Sequence, residues 1–219
     1  MPKKTFLNLP QKRRNEILDA CYEEFALNTY SLASLSNIIK KLGIAKGSFY
    51  RYFSSKKELY MYLLKISTEK RLANADSLLK SEKISLYDKL VENFRMKVRF
   101  DLQYPLISGF LYNVLKEKNN DEIGDAEQMI KDEIHGMVKD ILAIHIRNGE
   151  LRNDIDEDCI AFMIMQVQIS IYDYLEKRYN IDFRESILER KPIFSVPEDD
   201  ILIIVKSFAK LLERGYIKY

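Results

Sequence analysis

Side chains suited to contact nucleic acid are concentrated in one short stretch of this 219-residue sequence. Ammonium, guanidinium and hydroxyl groups donate hydrogen bonds to phosphate oxygens and to the edges of bases. A glycine in such a stretch lets the backbone approach a partner closely. The stretch that combines these features spans residues 46–56 and contains Lys46, Gly47, Ser48, Tyr50, Arg51, Tyr52 and Lys56. This composition predicts a surface that binds a polyanion.

The distribution of charge along the chain supports this prediction. The formal net charge of the whole chain is only +2. Residues 1–71 hold 14 Lys and Arg against 6 Asp and Glu, a formal charge of +8. Residues 72–219 hold 21 Lys and Arg against 27 Asp and Glu, a formal charge of −6. Such separation is typical of a chain in which one part meets a polyanion and the rest does not.

Two short helices joined by a tight turn position the anion-binding side chains. Apolar residues at 35, 38, 39 and 42 predict a helix that begins at Ser34, whose hydroxyl suits an N-cap. Gly43 suits the C′ position, where a positive φ is favoured. A second helix is expected over residues 46–53, with Phe49 and Phe53 turned to the core. This is the pattern of a helix-turn-helix over about residues 34–53, whose second helix enters the major groove of DNA.

Longer helices flank this motif. Ile17, Leu18, Cys21 and Phe25 form one face of an amphipathic helix, and Pro10 suits its first turn. A capping box of Ser55 and Glu58 predicts the start of a long helix over about residues 56–80.

Specific runs of residues then make this part of the chain resemble a known family. The runs are Arg14-x-x-Ile17-Leu18-x-Ala20, Phe25, Tyr30, Ser34-Leu35-x-x-Ile38, Gly43-Ile44-Ala45-Lys46-Gly47-Ser48-Phe49-Tyr50-Arg51-Tyr52-Phe53 and Ser55-Lys56-Lys57-Glu58-Leu59. Through them, residues 13–64 resemble the DNA-binding domain of the TetR family of bacterial transcriptional regulators. The resemblance covers about the first quarter to third of the chain, and in this family the remainder is a divergent helical domain.

The resemblance implies roles for individual side chains. Positions like Lys46, Gly47 and Ser48 reach base edges, and positions like Tyr50 and Tyr52 bind phosphates through their hydroxyls. The position like Lys56 places an ammonium and a helix N-terminus against a phosphate. Arg51 and Ser34 complete the expected set of DNA-binding residues.

Three positions depart from the family pattern and leave the geometry of DNA docking open. Thr29 replaces a usual glycine, so the first turn is expected to be built differently. Ala33 stands where a threonine commonly contacts phosphate, so either Ser31 or Ser34 takes over or the contact is absent. Ile39 replaces a small alanine, which implies repacking between helices.

The C-terminal part, residues 72–219, is expected to contain five further helices, for nine in all. Their expected spans are 85–103, 105–118, 126–148, 156–179 and 198–214, with a loop or short extra turn at 180–197. The helix pattern therefore predicts an all-α chain. The resemblance implies a three-helix DNA-binding domain at 11–71 and a helical effector-binding and dimerisation domain at 72–219. Breaks at Tyr104-Pro105 and Gly149 mark helix ends.

Apolar stripes on the last two long helices predict a homodimer, since more than one face of each helix is apolar. A fully intramolecular core is the alternative. The residues expected at the dimer interface are Ile160, Ile164, Val167, Ile171, Leu175, Ile201, Ile204, Phe208 and Leu211.

Large adaptable side chains in the central helices could line a pocket for a lipophilic or aromatic effector. Aromatic and Met residues at helical spacing also occur in ordinary cores, and this alternative stays open. The candidate pocket residues are Phe94, Phe100, Tyr104, Phe110, Tyr112, Met137, His145, Phe162, Met165 and Tyr172.

Motifs for catalysis, phosphate cradles and metal binding are absent from the sequence, so no enzyme, cofactor or metal is expected. His135, Asp140 and His145 could form a metal site, but ordinary structural or exposed histidines are favoured. Cys21 and Cys159 lie far apart and suit small core positions in a reducing cytoplasm. The longest apolar run is too short to span a bilayer.

Two functions compete on these grounds. The first is a ligand-responsive, sequence-specific transcriptional regulator that binds pseudo-palindromic double-stranded DNA, and in this family usually a repressor. The second is a helical ligand-binding or protein-interaction module whose DNA-reading head is degenerate.

Overall fold

The structure is a computed structural model, and it describes residues 1–73, 78, 81–117, 120–124, 126–152 and 154–216. Eleven helices and no β-strand occur within these residues, which confirms the predicted all-α class. In chain order the helices are α1 Lys4–Leu7, α2 Gln11–Leu27, α3 Leu35–Leu42, α4 Lys46–Tyr50, α5 Lys56–Leu72, α6 Leu86–Gln103, α7 Pro105–Lys116, α8 Ala126–Arg147, α9 Glu157–Tyr179, α10 Phe183–Leu188 and α11 Glu198–Tyr216.

The number of helices differs from the predicted nine for a local reason. The sequence pattern misses α1, because a helix of four residues is too short to show a helical period. At 180–197 the sequence left open a loop or a short extra turn, and the structure has the short helix α10 there. Each is nevertheless anchored by a buried side chain, Phe6 in α1 and Ile187 in α10. The last helix continues through Gly215 to Tyr216 rather than ending at Arg214. The predicted end of the long helix at Lys80 lies outside the described residues.

The chain divides into two compact units. Unit 1 consists of residues 1–70, 104–127 and 183–193, and unit 2 of residues 71–103, 128–182 and 194–219. Unit 1 therefore extends beyond the predicted DNA-binding segment 11–71, because it also contains α1, α7 and α10.

Unit 1 is built around a cluster of buried aromatic rings. The ring of Tyr60 in α5 lies 5.2 Å from Phe25 of α2, 5.1 Å from Tyr30 and 5.2 Å from Phe110 of α7. All four residues are at most 2% exposed. The T-shaped arrangement of these rings adds to the free energy gained by burying them. The cluster joins α7 to the helices of the DNA-binding segment.

Close packing of α7 in unit 1 depends on Gly109. A Cβ atom at this position would lie 2.8 Å from Ile187 Cδ1 and 3.2 Å from Ala26 Cβ. These distances are shorter than ordinary carbon contacts, so a larger residue would force α2, α7 or α10 to shift.

Unit 2 holds a separate apolar core among α6, α8 and α9. Its buried residues are Leu86, Val138, Ile141, Leu142, Leu151, Ile160, Ala161 and Ile164. The N-terminus of α9 is capped by Asp156, whose carboxylate accepts hydrogen bonds from the backbone N–H groups of Asp158 and Cys159.

Candidate nucleic-acid interface and ligand site

The turn between α3 and α4 has the tight geometry that a helix-turn-helix needs. Gly43 adopts φ +62°, and Ile44 N donates to Ile39 O at 3.3 Å. A side chain at this left-handed position would be strained, so glycine at C′ is favoured. The predicted role of Gly43 is confirmed.

The face of α4 opposite the core presents the residues that sequence selects for DNA. Phe49 and Phe53 are fully buried, as predicted. The exposed residues of this segment are Lys46, Gly47, Tyr50 and Arg51, while Ser48 and Tyr52 are partly buried. A Cβ on Gly47 would meet no atom within 4 Å. No contact within the protein therefore requires glycine at this position.

The N-terminal segment braces the end of α4, a contact that sequence reasoning misses. Lys3 donates from its backbone N to Tyr52 O at 2.9 Å and from Nζ to Tyr50 O at 2.8 Å. Thr5 Oγ1 donates to Arg51 O. These bonds satisfy carbonyl groups that the end of a helix leaves without partners. They fix the direction of the recognition helix.

The loop between α2 and α3 is held by two charged side chains. Lys56 Nζ donates to Tyr30 O at 2.8 Å and to Ala33 O at 3.2 Å. Glu24 Oε1 accepts from Ser34 N at 2.8 Å. Ser34 holds the N-cap position of α3, as predicted, but its hydroxyl makes no capping hydrogen bond. Lys56 has three N–H donors, and these two hydrogen bonds use two of them.

Two of the departures from the family pattern are accommodated by this loop. Thr29 is not among the described residues with positive φ. Its carbonyl accepts from Leu32 N at 3.1 Å and Ala33 N at 2.9 Å, which forms a compact turn. Ala33 is itself buried and supplies the carbonyl that binds Lys56. The turn therefore needs no glycine at Thr29.

A segment that follows α7 is bonded to the same loop. Glu117 Oε2 accepts from Tyr30 N at 2.6 Å, and Tyr30 Oη donates to Glu122 Oε2 at 2.6 Å. Asn113 Nδ2 donates to Phe25 O at 2.9 Å at the end of α2. Glu117 is only 8% exposed, and hydrogen bonds to a buried carboxylate are stronger than neutral ones. A displacement of α7 would therefore be transmitted to the loop before α3.

Three of the predicted pocket residues lie in unit 1 and belong to its packing. Phe110 is fully buried in the aromatic cluster around Tyr60. The ring of Tyr112 lies 4.3 Å from that of Phe183, and Lys70 Nζ lies 3.6 Å from the ring of Tyr104. These three side chains lie in unit 1, whereas the other seven pocket candidates lie in unit 2.

The remaining pocket candidates lie in unit 2 in different surroundings. Phe94, Phe100, His145, Met165 and Tyr172 are buried, and Met137 packs against the core cluster. Phe162 is 49% exposed, which corrects its assignment to a pocket within one chain.

A polar cluster that sequence reasoning misses lies beside Phe94 and Tyr172. Arg71 Nη2 donates to Tyr172 Oη at 2.7 Å and lies 3.1 Å from Asp101 Oδ1. Lys97 Nζ donates to Gln168 Oε1 at 2.8 Å. The available signal was a polar stripe four residues apart on α6, formed by Asn93, Lys97 and Asp101.

The predicted dimer stripe is mostly internal to the chain. Six of its nine residues are at most 7% exposed and pack within unit 2, namely Ile160, Ile164, Ile171, Leu175, Ile201 and Ile204. Val167 and Phe208 are partly buried, and Leu211 is 69% exposed. The structure corrects the predicted face, because the most regular apolar stripe of each helix is the one that packs on its own core.

The histidine and cysteine residues have ordinary surroundings. His145 Nδ1 lies 2.6 Å from Glu150 Oε2, and this hydrogen bond lowers the pKa of Glu150. No group of three or more His, Cys, Asp or Glu among the described residues could hold a metal ion. Cys21 is buried as expected, whereas Cys159 is exposed. In the part of the chain that the structure covers, no helix has the length and hydropathy to cross a membrane.

Comparison with known proteins agrees with this geometry. The family model described as bacterial regulatory proteins, tetR family, matches residues 17–63. An HTH-type transcriptional regulator of Bacillus subtilis (strain 168), YfiR, is 26% identical over 89 residues, and the match spans 38% of this chain and 43% of that relative.

Solved structures extend the similarity to the whole fold. A TetR family transcriptional regulator from Chloroflexus aurantiacus J-10-fl is 26% identical, with a TM-score of 0.79 and coverage of 100% of both chains. A gamma-butyrolactone receptor (ArpA-like protein) is 18% identical, with a TM-score of 0.59 over 94% of this chain and 97% of the other. At this lower identity the likeness concerns the fold alone.

The left-handed turn at Gly43, the exposed face of α4 and the helical body together define a helix-turn-helix regulatory protein. Over residues 17–63 the chain is similar to the TetR family of bacterial regulatory proteins, and its fold is similar to that of a TetR family transcriptional regulator.

Proposed function

We propose that the protein is a ligand-responsive, sequence-specific DNA-binding transcriptional regulator, a repressor that a small lipophilic or aromatic effector releases from its operator. It acts in the cytoplasm on double-stranded DNA and carries out no enzymatic step. The observation that carries the proposal is the outer face of α4, where basic, hydroxyl and glycine residues are exposed over the buried Phe49 and Phe53. Phosphate contacts from such a face position a protein, and base contacts provide sequence selectivity.

A homodimer is part of the proposal, and exposed apolar residues of unit 2 support it. On α9 and α11 the exposed large apolar side chains are Phe162, Met163, Tyr174, Ile203 and Leu211. Ile203 and Leu211 are eight residues apart and so lie on one face of α11. Pairing these faces in two copies would bury them and form a four-helix bundle. A dimer would also present two recognition helices to a pseudo-palindromic operator.

Release by the effector follows from the spacing of the two recognition helices. They must reach successive major grooves, about 34–36 Å apart. An effector that favours a different spacing lowers affinity, since both half-sites can no longer be bound together. Helix α5 begins in unit 1 with Lys56 and ends in unit 2, where Arg71 contacts Asp101 and Tyr172. It is therefore the proposed route from effector to head. The name of a protein with a similar fold, the gamma-butyrolactone receptor, supports a small-molecule ligand.

The test is binding to DNA from upstream of the protein's own gene, measured by fluorescence anisotropy between about 50 and 200 mM salt. We expect selective binding whose affinity falls steeply with salt, since phosphate contacts release counterions. Tyr50→Phe removes one hydroxyl and should weaken binding roughly two- to tenfold across sequences. Arg147→Gln, at an exposed position of α8, is the control.

Absence of salt-dependent, sequence-selective binding by the folded wild-type protein would contradict the proposal. It would leave the alternative of a ligand-binding or protein-interaction module with a degenerate head.

A further inference from the structure

Unit 2 contains a group of polar side chains on facing helices. Asn93, Lys97 and Asp101 are spaced four residues apart and therefore lie along one face of α6. Gln168 and Tyr172 have the same spacing on α9. Gln168 Oε1 accepts from Lys97 Nζ at 2.8 Å and from Asn93 Nδ2 at 3.3 Å. The two stripes are thus joined by direct hydrogen bonds.

Arg71, from the end of α5, completes this group, which we call the Arg71 cluster: Arg71, Asn93, Lys97, Asp101, Gln168 and Tyr172. Its Nη2 contacts Asp101 Oδ1 at 3.1 Å and Tyr172 Oη at 2.7 Å. Its Nε is buried and has no hydrogen-bond partner among the described residues. A buried guanidinium N–H without an acceptor is unfavourable, so this atom is a donor available to a ligand.

The charges of the Arg71 cluster do not balance. Two cationic side chains, Arg71 and Lys97, act with one carboxylate, Asp101, which is 3% exposed. Burial, reinforced by the positive charge of Arg71, lowers the pKa of Lys97 to about 7. Asp101 opposes this shift without cancelling it. The site therefore favours the arrival of a further negative charge over that of a cation.

Aromatic rings surround the polar groups. The ring of Tyr172 lies 5.6 Å from Phe94 and 5.3 Å from Phe194. The Arg71 guanidinium lies 5.5 Å from the Phe100 ring, and Lys97 Nζ lies 5.6 Å from the Phe94 ring. A site with convergent polar groups beside apolar walls suits a molecule that is polar at one end and apolar elsewhere.

We propose that the Arg71 cluster binds the carboxylate of an anionic effector, with Arg71 and Lys97 as donors and the apolar body of the effector against Phe94, Phe100 and Phe194. This inference rests on the proposed function, since it assigns the chemical class of the effector that unit 2 would bind. The proposed class of effector, a lipophilic or aromatic molecule, is thereby restricted to lipophilic or aromatic carboxylic acids.

Binding of an acid at this site takes up a proton. The groups that face Lys97 are Arg71 from α5, Asp101 from its own helix and Gln168 from α9, and Tyr172 of α9 faces the same cluster. Near pH 8 most Lys97 ammonium groups have lost their proton, and a bound carboxylate restores it. The affinity for an acid should therefore fall by up to about tenfold per pH unit above pH 7.

The experiment compares matched acids and alcohols by isothermal titration calorimetry on the full-length protein. The probe pairs are decanoate with 1-decanol and 4-phenylbutanoate with 4-phenylbutanol. We expect at least one acid to bind at least about tenfold more tightly than its alcohol at pH 7. Titration in two buffers of different ionisation enthalpy should show proton uptake on binding of the acid at pH 8 and less uptake at pH 6.

Two variants locate the interaction, and a third controls for folding. Arg71→Gln and Lys97→Met should each weaken binding of the acid at least about tenfold and leave binding of the alcohol unchanged. Lys97→Met should also abolish the proton uptake at pH 8. Arg71→Lys keeps the charge and should bind the acid more tightly than Arg71→Gln, and Arg147→Gln should match the wild type.

The outcomes separate this inference from the proposed function. Equal binding of acid and alcohol, or proton uptake that persists in Lys97→Met, would overturn the anionic site even if operator binding is intact. If an acid binds but the affinity of the protein for operator DNA is unchanged, the role of the acid as effector would be overturned. Loss of selective DNA binding in the wild-type protein would instead overturn the proposed function and leave the acid-binding measurement standing.

Discussion

Replacing Gly47 by alanine separates the needs of the fold from those of DNA binding. Gly47 lies in α4, on the exposed face of the recognition helix, and an added Cβ would meet no atom of the protein within 4 Å. A glycine inside a helix destabilises it by about 0.5–1 kcal/mol relative to alanine. The variant Gly47→Ala should therefore raise the free energy of unfolding by up to about 1 kcal/mol. In a chain of this size that corresponds to a rise in Tm of roughly 1–4 °C.

The same methyl group should weaken binding to DNA. If the backbone at Gly47 approaches a base or phosphate closely, a Cβ overpacks that contact, and overpacking of a tight interface destabilises it by about 1–3 kcal/mol. This corresponds to a loss of roughly 5- to 150-fold in operator affinity. Thermal unfolding followed by circular dichroism and anisotropy with operator DNA measure the two effects on the same preparation.

A matched control separates the effect of the position in α4 from the general effect of replacing an exposed helical glycine by alanine. Gly136 lies on the exposed face of α8, and a Cβ there also meets no atom within 4 Å. Gly136→Ala should stabilise the fold by a similar amount and leave operator affinity unchanged. Operator affinity of Gly47→Ala equal to that of the wild type would refute the close approach of the backbone. A lower free energy of unfolding for Gly47→Ala would refute the conclusion that an added Cβ at this position meets no other atom of the protein.

Three further predictions concern packing, the α7 contact and the dimer. Gly109→Val should lower the free energy of unfolding by about 1–3 kcal/mol in urea titrations, because its Cβ alone would lie 2.8 Å from Ile187 Cδ1; an unchanged midpoint would contradict this packing. Glu117→Gln keeps the shape of the side chain but removes the charge of the carboxylate that accepts from Tyr30 N at 2.6 Å. It should lower the free energy of unfolding by about 1 kcal/mol in the same titrations. An unchanged free energy of unfolding would contradict a stabilising role for this hydrogen bond. Leu211→Asp puts a charge at a position where the side chain is 69% exposed in the single chain. Burial of this charge in a dimer interface is unfavourable, so the variant should dissociate in analytical ultracentrifugation and keep its helicity. A dimer of unchanged affinity would mean that the interface lies elsewhere.

The N-terminal head shows how much local sequence can determine. The αL turn at Gly43 and the start of α5 at Ser55, whose Oγ accepts from Glu58 N at 3.1 Å, are both predicted correctly, because turns and caps depend on neighbouring residues. The burial of Phe49 and Phe53 follows from their spacing alone. Ser34 is the N-cap of α3 as predicted, but its hydroxyl makes no capping bond, and its backbone N donates instead to Glu24, ten residues earlier in the chain.

The C-terminal half shows where local patterns stop being informative. Apolar stripes on α9 and α11 identify faces that will be buried, but a periodicity does not state whether they pack on the same chain or on another. The regular stripe through Ile164 and Leu175 turned out to be internal. Likewise, the large size of their side chains groups Phe110 with Phe94 as pocket residues, although Phe110 belongs to the aromatic cluster of unit 1.

By itself the sequence determines an all-α chain with a helix-turn-helix near its N-terminal end, and it predicts which residues form the outer face of α4. Only the tertiary structure places Arg71 beside Asp101 and Tyr172, which are 30 and 101 residues away in the chain. The physical reason is that capping, turn geometry and amphipathicity act over a few residues, whereas a binding cluster depends on which helix faces meet. The meeting of faces is decided by the packing of the whole core.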